Sequence, residues 1–128
     1  MRVVCEIGRR IEKLVMAINA YYGQQVEMLN AFLERVKEDP RIGTTHISLY
    51  VSLIGLWQDK GFEKPLSVFS HEMMPRCKIS GSATYHRNIR ELHDFGYIKY
   101  IPSYNHFLGS LVYFVPIGSC LSFTNKRI

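Results

Sequence analysis

Between Ser80 and Tyr100 the spacing of apolar residues switches from helical to extended, and that switch restricts the folds open to the chain. With Tyr85 as reference and ~100° per residue, Ile89, Leu92 and Gly96 share one side of a helix. Ala83, Arg87, Arg90 and Asp94 fall on the other side. The pattern predicts a helix opening at Ser80, apolar toward a core and cationic toward solvent. Gly96 is placed to stop it. Tyr97 to Ile101 then reads as a strand, Pro102 to Ser110 as a loop, and Leu111 to Val115 as the return strand of a hairpin.

The elements before this segment follow from the same kind of reading. Thr44 or Thr45 caps a helix that runs through Asp59 or Lys60 and is stopped by Gly61. Its residues Ile47, Tyr50, Val51, Leu53, Ile54 and Trp57 are apolar almost all round, which marks it as the central buried helix. Pro65 to Phe69 reads as a short strand. Ser70 is placed to cap the next helix, with Glu72 in its first turn where a carboxylate suits the helix dipole. Pro75 removes one backbone hydrogen bond there, so that helix either kinks or spans only about two turns.

At the start of the chain, Ile7, Ile11, Leu14, Ile18 and Tyr21 recur at spacings of three and four. The stripe resumes with Tyr22, Val26, Leu29, Leu33 and Val36, shifted by one position near Gly23. Either one long helix or two helices meeting at Gly23 satisfy this pattern, and Asp39-Pro40 ends it. Such a face either lies on its own domain or forms the arm of a dimer. The expected organisation is a helical extension over 1–43, a domain over 44–117 and a tail over 118–128.

The chain has 128 residues, enough for one domain with a real core. Its net charge of +5 is unevenly spread: 1–43 holds 7 Lys/Arg against 6 Asp/Glu, whereas 44–128 holds 9 against 5. The cationic excess therefore lies with the predicted helices and hairpin, as a phosphate-binding surface requires. Cys5, Cys77 and Cys120 are far apart and odd in number, which speaks against a disulfide framework or a zinc site. Cys77, beside Lys78, is either a redox-sensitive thiol or a packed core thiol. His46, His71 and His93 lack metal-ligand spacing, and no nucleophile–base pair or phosphate-binding glycine loop is present. No apolar run reaches the ~18–20 residues that span a bilayer. These features lead us to expect a cytoplasmic protein that is not an enzyme, with no cofactor, metal or membrane partner.

Thr84-Tyr-His-Arg-Asn-Ile-Arg-Glu-Leu92, followed by Phe95-Gly-Tyr-Ile98, resembles the recognition helix and wing opening of winged helix-turn-helix proteins. The resemblance covers about residues 44–117 and extends to bacterial regulators, replication initiators and small winged-helix proteins of mobile elements. It implies a mainly α fold with a small β-sheet, here a winged helix-turn-helix preceded by an N-terminal helical extension. It also implies double-stranded DNA as partner, bound by a homodimer. Carried over residue by residue, it turns Ser80, Ser82, Thr84, His86, Arg87 and Arg90 toward DNA. Free N–H groups at the helix start can hold a phosphate, and the Arg87 fork matches guanine O6 and N7. Lys78 and Lys99 add phosphate-contacting cations.

For most of these residues a plainer role competes. Arg87–Glu91 and Arg90–Asp94 have the i,i+4 spacing of ordinary surface pairs. At the hairpin, either Lys99, Tyr104, Asn105 and His106 touch DNA, or Tyr104, Phe107 and Leu108 fold onto the domain as an apolar plug. Tyr50, Trp57 and Phe69 are expected in the core. The leading function is sequence-specific DNA binding as a transcriptional regulator. The alternatives are an accessory factor in replication or transfer of a mobile element, or a winged-helix protein-interaction module without DNA binding.

Overall fold

The computed structural model describes residues 2–105 and 107–116, except for the side chains of 2–7 and 17–21. The fold is mainly helical with a small antiparallel sheet. Its elements run α1 (Arg2–Val36), α2 (Thr44–Asp59), β1 (Leu66–Val68), α3 (Ser70–Cys77), α4 (Ser82–Asp94), β2 (Ile98–Ile101) and β3 (Ser110–Phe114). His106, Ile117, Cys120 and the expected tail lie outside the described residues, as does the side chain of Cys5.

α2 is the hub, although one side of it faces water: Val51, expected in the core, is 43% exposed, beside the exposed Gln58 and Asp59. Leu49, Tyr50, Leu53, Ile54, Leu56 and Trp57 are all buried. Thr44 is its first helical residue and does not cap it. Gly43 holds the cap position, and its N–H donates to His46 Nδ1 at 3.0 Å. A side chain three residues on thus answers one of the N–H groups that a helix start leaves open.

α1 is one continuous helix through Gly23. Its second half packs on α2 through Phe32, which stacks on Tyr50 with ring centroids 3.9 Å apart and meets the edge of Tyr97 at 5.3 Å. Gln25 Nε2 donates to Ile54 O and to Gln58 Oε1 on α2. The buried face is Ala31 and Phe32, supported by Met28, Leu29 and Val36. The stripe expected over Tyr22 to Val36 is therefore only half right. Leu29 and Val36 pack inward, while Val26 and Leu33 remain exposed.

The three strands lie in the order β1-β3-β2, both pairings antiparallel. β2 and β3 form the expected hairpin, with Tyr100 opposite Val112. β1 adds to the far side of β3, with Leu66 opposite Val112. Gly109, at φ +63, leaves no room for a side chain, because a Cβ there would come within 3.0 Å of Phe69 and Ser67. That close approach seats the end of the loop against β1.

α3 keeps Pro75 inside an eight-residue helix, so of the two expected outcomes the short helix is realised. Ser70 is its first residue and Phe69 its cap, so the expected serine cap does not form. Cys77 is buried, and burial pushes its thiol pKa up, which fits the packed-thiol alternative.

The loop after α1 is tied to the body through the Asp39 carboxylate, with Arg41 over the Phe95 ring at 4.3 Å and Ile42 packed on the core. Asp39 accepts two bonds from the Arg41 guanidinium at 2.9 Å and one from the Tyr97 hydroxyl at 2.7 Å. The Arg41 bonds, aided by Tyr97 and opposed by burial, hold the Asp39 carboxyl well below the usual carboxylate range. Burial and the Asp39 bond push the Tyr97 phenol up to about 12. A depressed carboxylate pKa stabilises the fold fully above the ordinary value of 3.8, and that contribution is lost as pH falls toward the native value. Asp39→Asn should accordingly cost about 1–2 kcal/mol at neutral pH. Urea unfolding of both proteins from pH 7 to pH 2.5 should show the deficit shrinking below 3.8. A deficit unchanged across that range would refute the linkage.

Candidate nucleic-acid interface

α4 divides into two faces as its sequence requires. Tyr85, Ile89 and Leu92 are buried against α2 and the sheet, and Asn88 is buried with them. Asn88 is fully used: its Nδ2 donates to Thr84 O at 2.7 Å, and its Oδ1 accepts the Thr45 hydroxyl of α2 at 2.8 Å. One turn later His46 Nε2 faces Glu91 Oε1 at 3.2 Å. Two polar bridges thus fix how far α4 can rotate or slide on α2. Sequence reasoning missed both. The only visible signal was a polar residue, Asn88, on an otherwise apolar side.

The opposite face is open. Arg87 is 70% exposed along its side chain and only skirts Glu91, at 4.0 Å. Such a surface pair contributes about 0.5 kcal/mol or less. Arg90 is exposed, and among the described residues it forms no ion pair, with Asp94 or any other carboxylate. Ser82 and Ala83 are exposed at the helix start.

α4 begins two residues later than its pattern predicts, because Gly81 takes the cap position and Ser80 stays in the turn. The cap has no side chain to answer the first N–H groups, and the first intrahelical bond is Tyr85 N–H to Gly81 O. Ser82, Ala83 and Thr84 therefore present backbone donors at the positive end of the helix. His86 lies one turn along, with Nδ1 held at 2.8 Å from Ser82 O and its other ring nitrogen free to point away. Thr84 is only partly exposed.

The turn between α3 and α4 is short and pinned. Ile79 is buried beneath it, and its N–H donates to Met74 O at 3.2 Å. Lys78 caps α3 in the left-handed conformation, φ 60 and ψ 32, with its side chain exposed. A lysine there carries a backbone cost of about 1–2 kcal/mol that a glycine would avoid. Lys78, Ser80, Ser82, His86, Arg87 and Arg90 are thus brought onto one turn and the exposed face of the helix that follows it. Arg76, a further cation of this region, is bound to Asp59 at 2.8 Å.

The hairpin forms a separate group. α4 ends at Asp94 with Phe95 as its cap, and Gly96, with φ +88, turns the chain toward β2. Gly96 N–H donates to His93 O and Tyr97 N–H to Leu92 O, which closes the helix end. Lys99 faces outward from β2 beside Tyr113 of β3, its Nζ 5.7 Å from the ring centre. At the tip Tyr104 is 99% exposed, and Phe107 and Leu108 are exposed as well, so the apolar plug does not form. Asn105 folds its own loop: Oδ1 accepts Phe107 N–H and the carbonyl accepts Leu108 N–H. His106 lies outside the described residues.

Among the described residues no group of three or more His, Cys, Asp or Glu is arranged to hold a metal ion, and no helix is long and apolar enough to cross a membrane. No known protein-family model matches the chain, and neither does any curated protein or solved structure.

Proposed function

We propose that the protein binds double-stranded DNA sequence-specifically through a winged helix-turn-helix and acts as a transcriptional regulator. The observation that carries this reading is the open face of α4, where Arg87 and Arg90 stand free of strong ion pairs on a helix clamped rigidly from behind. A helix held this way enters a major groove as a fixed body. In this reading the N–H groups of Ser82 to Thr84 and the Lys78 ammonium hold phosphates and set the register. Arg87 reads a base edge, and the β2–β3 hairpin serves as the wing, with Lys99 toward the backbone.

The apolar hairpin tip favours a second reading, a protein-docking winged helix, since Tyr104, Phe107 and Leu108 offer little to a phosphate backbone. Salt separates the two. Four or five phosphate contacts give a log–log slope of affinity on salt near −4. Failure to retain duplex DNA at any salt concentration would favour the docking role. Arg87→Ala should lower affinity for a selected site by ~1–3 kcal/mol and leave non-specific binding nearly intact. Equal losses on both would remove Arg87 from base readout. Lys78→Gly relieves the left-handed backbone while deleting a phosphate contact, so it should melt no lower than wild type yet flatten the salt slope by about one unit. An unchanged slope would take Lys78 out of the interface.

Dimerisation is part of the proposal. Val15, Val26 and Leu33 are exposed along one line of α1, on a different side from Phe32, and Tyr22 on that line is 40% exposed while its hydroxyl accepts a bond from Gln58 of α2. Their spacings of seven and four residues match a helix–helix seam. The described residues of 9–13 carry three cations to one anion, whereas 27–35 carry two anions to one cation. An antiparallel pair of α1 helices sets these opposite charges together. Val26→Glu combined with Leu33→Glu changes only exposed positions, and should halve the mass measured by light scattering at micromolar concentration. A mass identical to wild type would dispose of this interface.

A further inference from the structure

We propose that His86 is a second base-reading residue, which accepts a hydrogen bond from the exocyclic amine of adenine or cytosine. It thereby selects these bases over guanine and thymine on the strand it faces. The inference rests on the DNA-binding reading above and adds the chemical class of base that one more side chain recognises. The imidazole is held by the backbone of its own helix. Its Nδ1 lies 2.8 Å from Ser82 O, one turn earlier, and its ring meets the Tyr85 ring edge-on at 5.1 Å.

That carbonyl decides where the ring proton sits. A carbonyl oxygen only accepts, so the ring nitrogen facing it at 2.8 Å must donate, and Nδ1 carries the hydrogen. The Ser82 hydroxyl, 3.3 Å from the same nitrogen, offers the opposite assignment, because a hydroxyl can donate to a bare Nδ1. That arrangement would set the Nδ1 lone pair against those of the carbonyl at the shorter distance, so the carbonyl prevails. A neutral imidazole has one N–H, and Nε2 is therefore a bare acceptor. Among the described residues Nε2 has no hydrogen-bond partner, and the bond at Nδ1 fixes the direction in which it points.

An acceptor at this place differs from the groups around it. Lys78, Arg87 and Arg90 can only donate, which suits phosphate oxygens and the O6 and N7 of guanine. A bare Nε2 repels those same atoms. In the major groove its partners are adenine N6–H and cytosine N4–H, whereas guanine and thymine present a carbonyl oxygen instead. The two carboxylates of α4 do not duplicate this role. Glu91 faces His46 at 3.2 Å, and Asp94 stands at the other end of the helix. His86 precedes Arg87 directly and lies about 100° round the helix from it. The base it reads therefore belongs to a pair adjoining the one that Arg87 reads.

The first test needs no DNA. The chain has five histidines, and the ring signals of His86 are identified by their loss in His86→Ala. A two-bond ¹H–¹⁵N correlation spectrum of the full-length protein at pH 8, where a solvent-facing imidazole is neutral, should show the proton on Nδ1. A proton on Nε2, wholly or in part, would overturn the proposal. The second test is selection of duplexes from a random pool. Wild type should enrich a position, next to the guanine of Arg87, at which adenine and cytosine bind roughly five- to tenfold more tightly than guanine and thymine. His86→Ala should erase that preference and keep the guanine. His86→Lys, whose ammonium only donates, should turn the position toward guanine and thymine. An adenine–cytosine position that persists in His86→Ala, or its absence from a site that wild type still selects, would remove His86 readout and leave the DNA-binding function standing. A wild type that selects no site at all would remove both.

Discussion

The sixteen-residue α2 buries Leu49, Tyr50, Leu53, Ile54, Leu56 and Trp57 and leaves only the side holding Val51, Gln58 and Asp59 to water, and the architecture is a set of answers to that constraint. α3 and α4 cover one flank of α2, the second half of α1 covers another, and the sheet covers a third through Val112 and Phe114. Tyr50 and Trp57 show how tight the closure is. Each is buried: Tyr50 stacks on Phe32 of α1, Trp57 meets Phe62, and both meet Phe114 of β3. Removing any one covering element would expose several large apolar side chains at once. At ~25 cal/mol per Å² of apolar surface, such exposure exceeds what a small domain can tolerate.

Position on α4 follows from that packing, but apolar contact alone leaves a helix free to slide by fractions of a turn. The two polar bridges, Thr45–Asn88 and His46–Glu91, add directionality. Both donors come from the first turn of α2, and both acceptors lie on the α4 surface between its apolar and cationic faces. His46 also answers the Gly43 N–H, so the cap of α2 and the seat of α4 share one imidazole. The proposed readout role would need this kind of restraint, because a displacement of an ångström separates a bidentate contact from none.

The parts of the fold legible in the sequence are those governed by local periodicity. α4 was readable because solvent and core lie on opposite sides of it, so Tyr85, Ile89 and Leu92 had to differ from Arg87 and Arg90. α2 was readable from its uniformity, and the hairpin from its turn residues. What escaped depends on partners distant in sequence. Nothing local to Leu66–Val68 selects β3 as its neighbour. The Tyr97–Asp39 bond joins residues 58 apart. Both stripes of α1 are apolar, so the pattern could not say that Phe32 turns inward while Val26 and Leu33 stay out. The start of α4 was misplaced because serine and glycine both suit a cap, and Gly81 holds it by backbone geometry alone. At the candidate site, exposure was legible for Arg87 and Arg90, but the use of Asn105 within its own loop was not.

The unequal treatment of α1 by its own domain carries a further consequence. At 1.5 Å per residue, 35 helical residues extend about 52 Å, well beyond the reach of a domain built around a sixteen-residue hub. Packing on α2 begins only near Tyr22, whose hydroxyl accepts a bond from Gln58, and ends at Val36. Before that point the described side chains Ile11, Leu14 and Met16 are 53%, 63% and 71% exposed. An isolated helix in water draws little stability from propensity, and most comes from burying an apolar face. In the proposed dimer a second α1 would cover this apolar surface. Of the two arrangements of an identical pair, the antiparallel one avoids placing the cationic segment of 9–13 against its own copy.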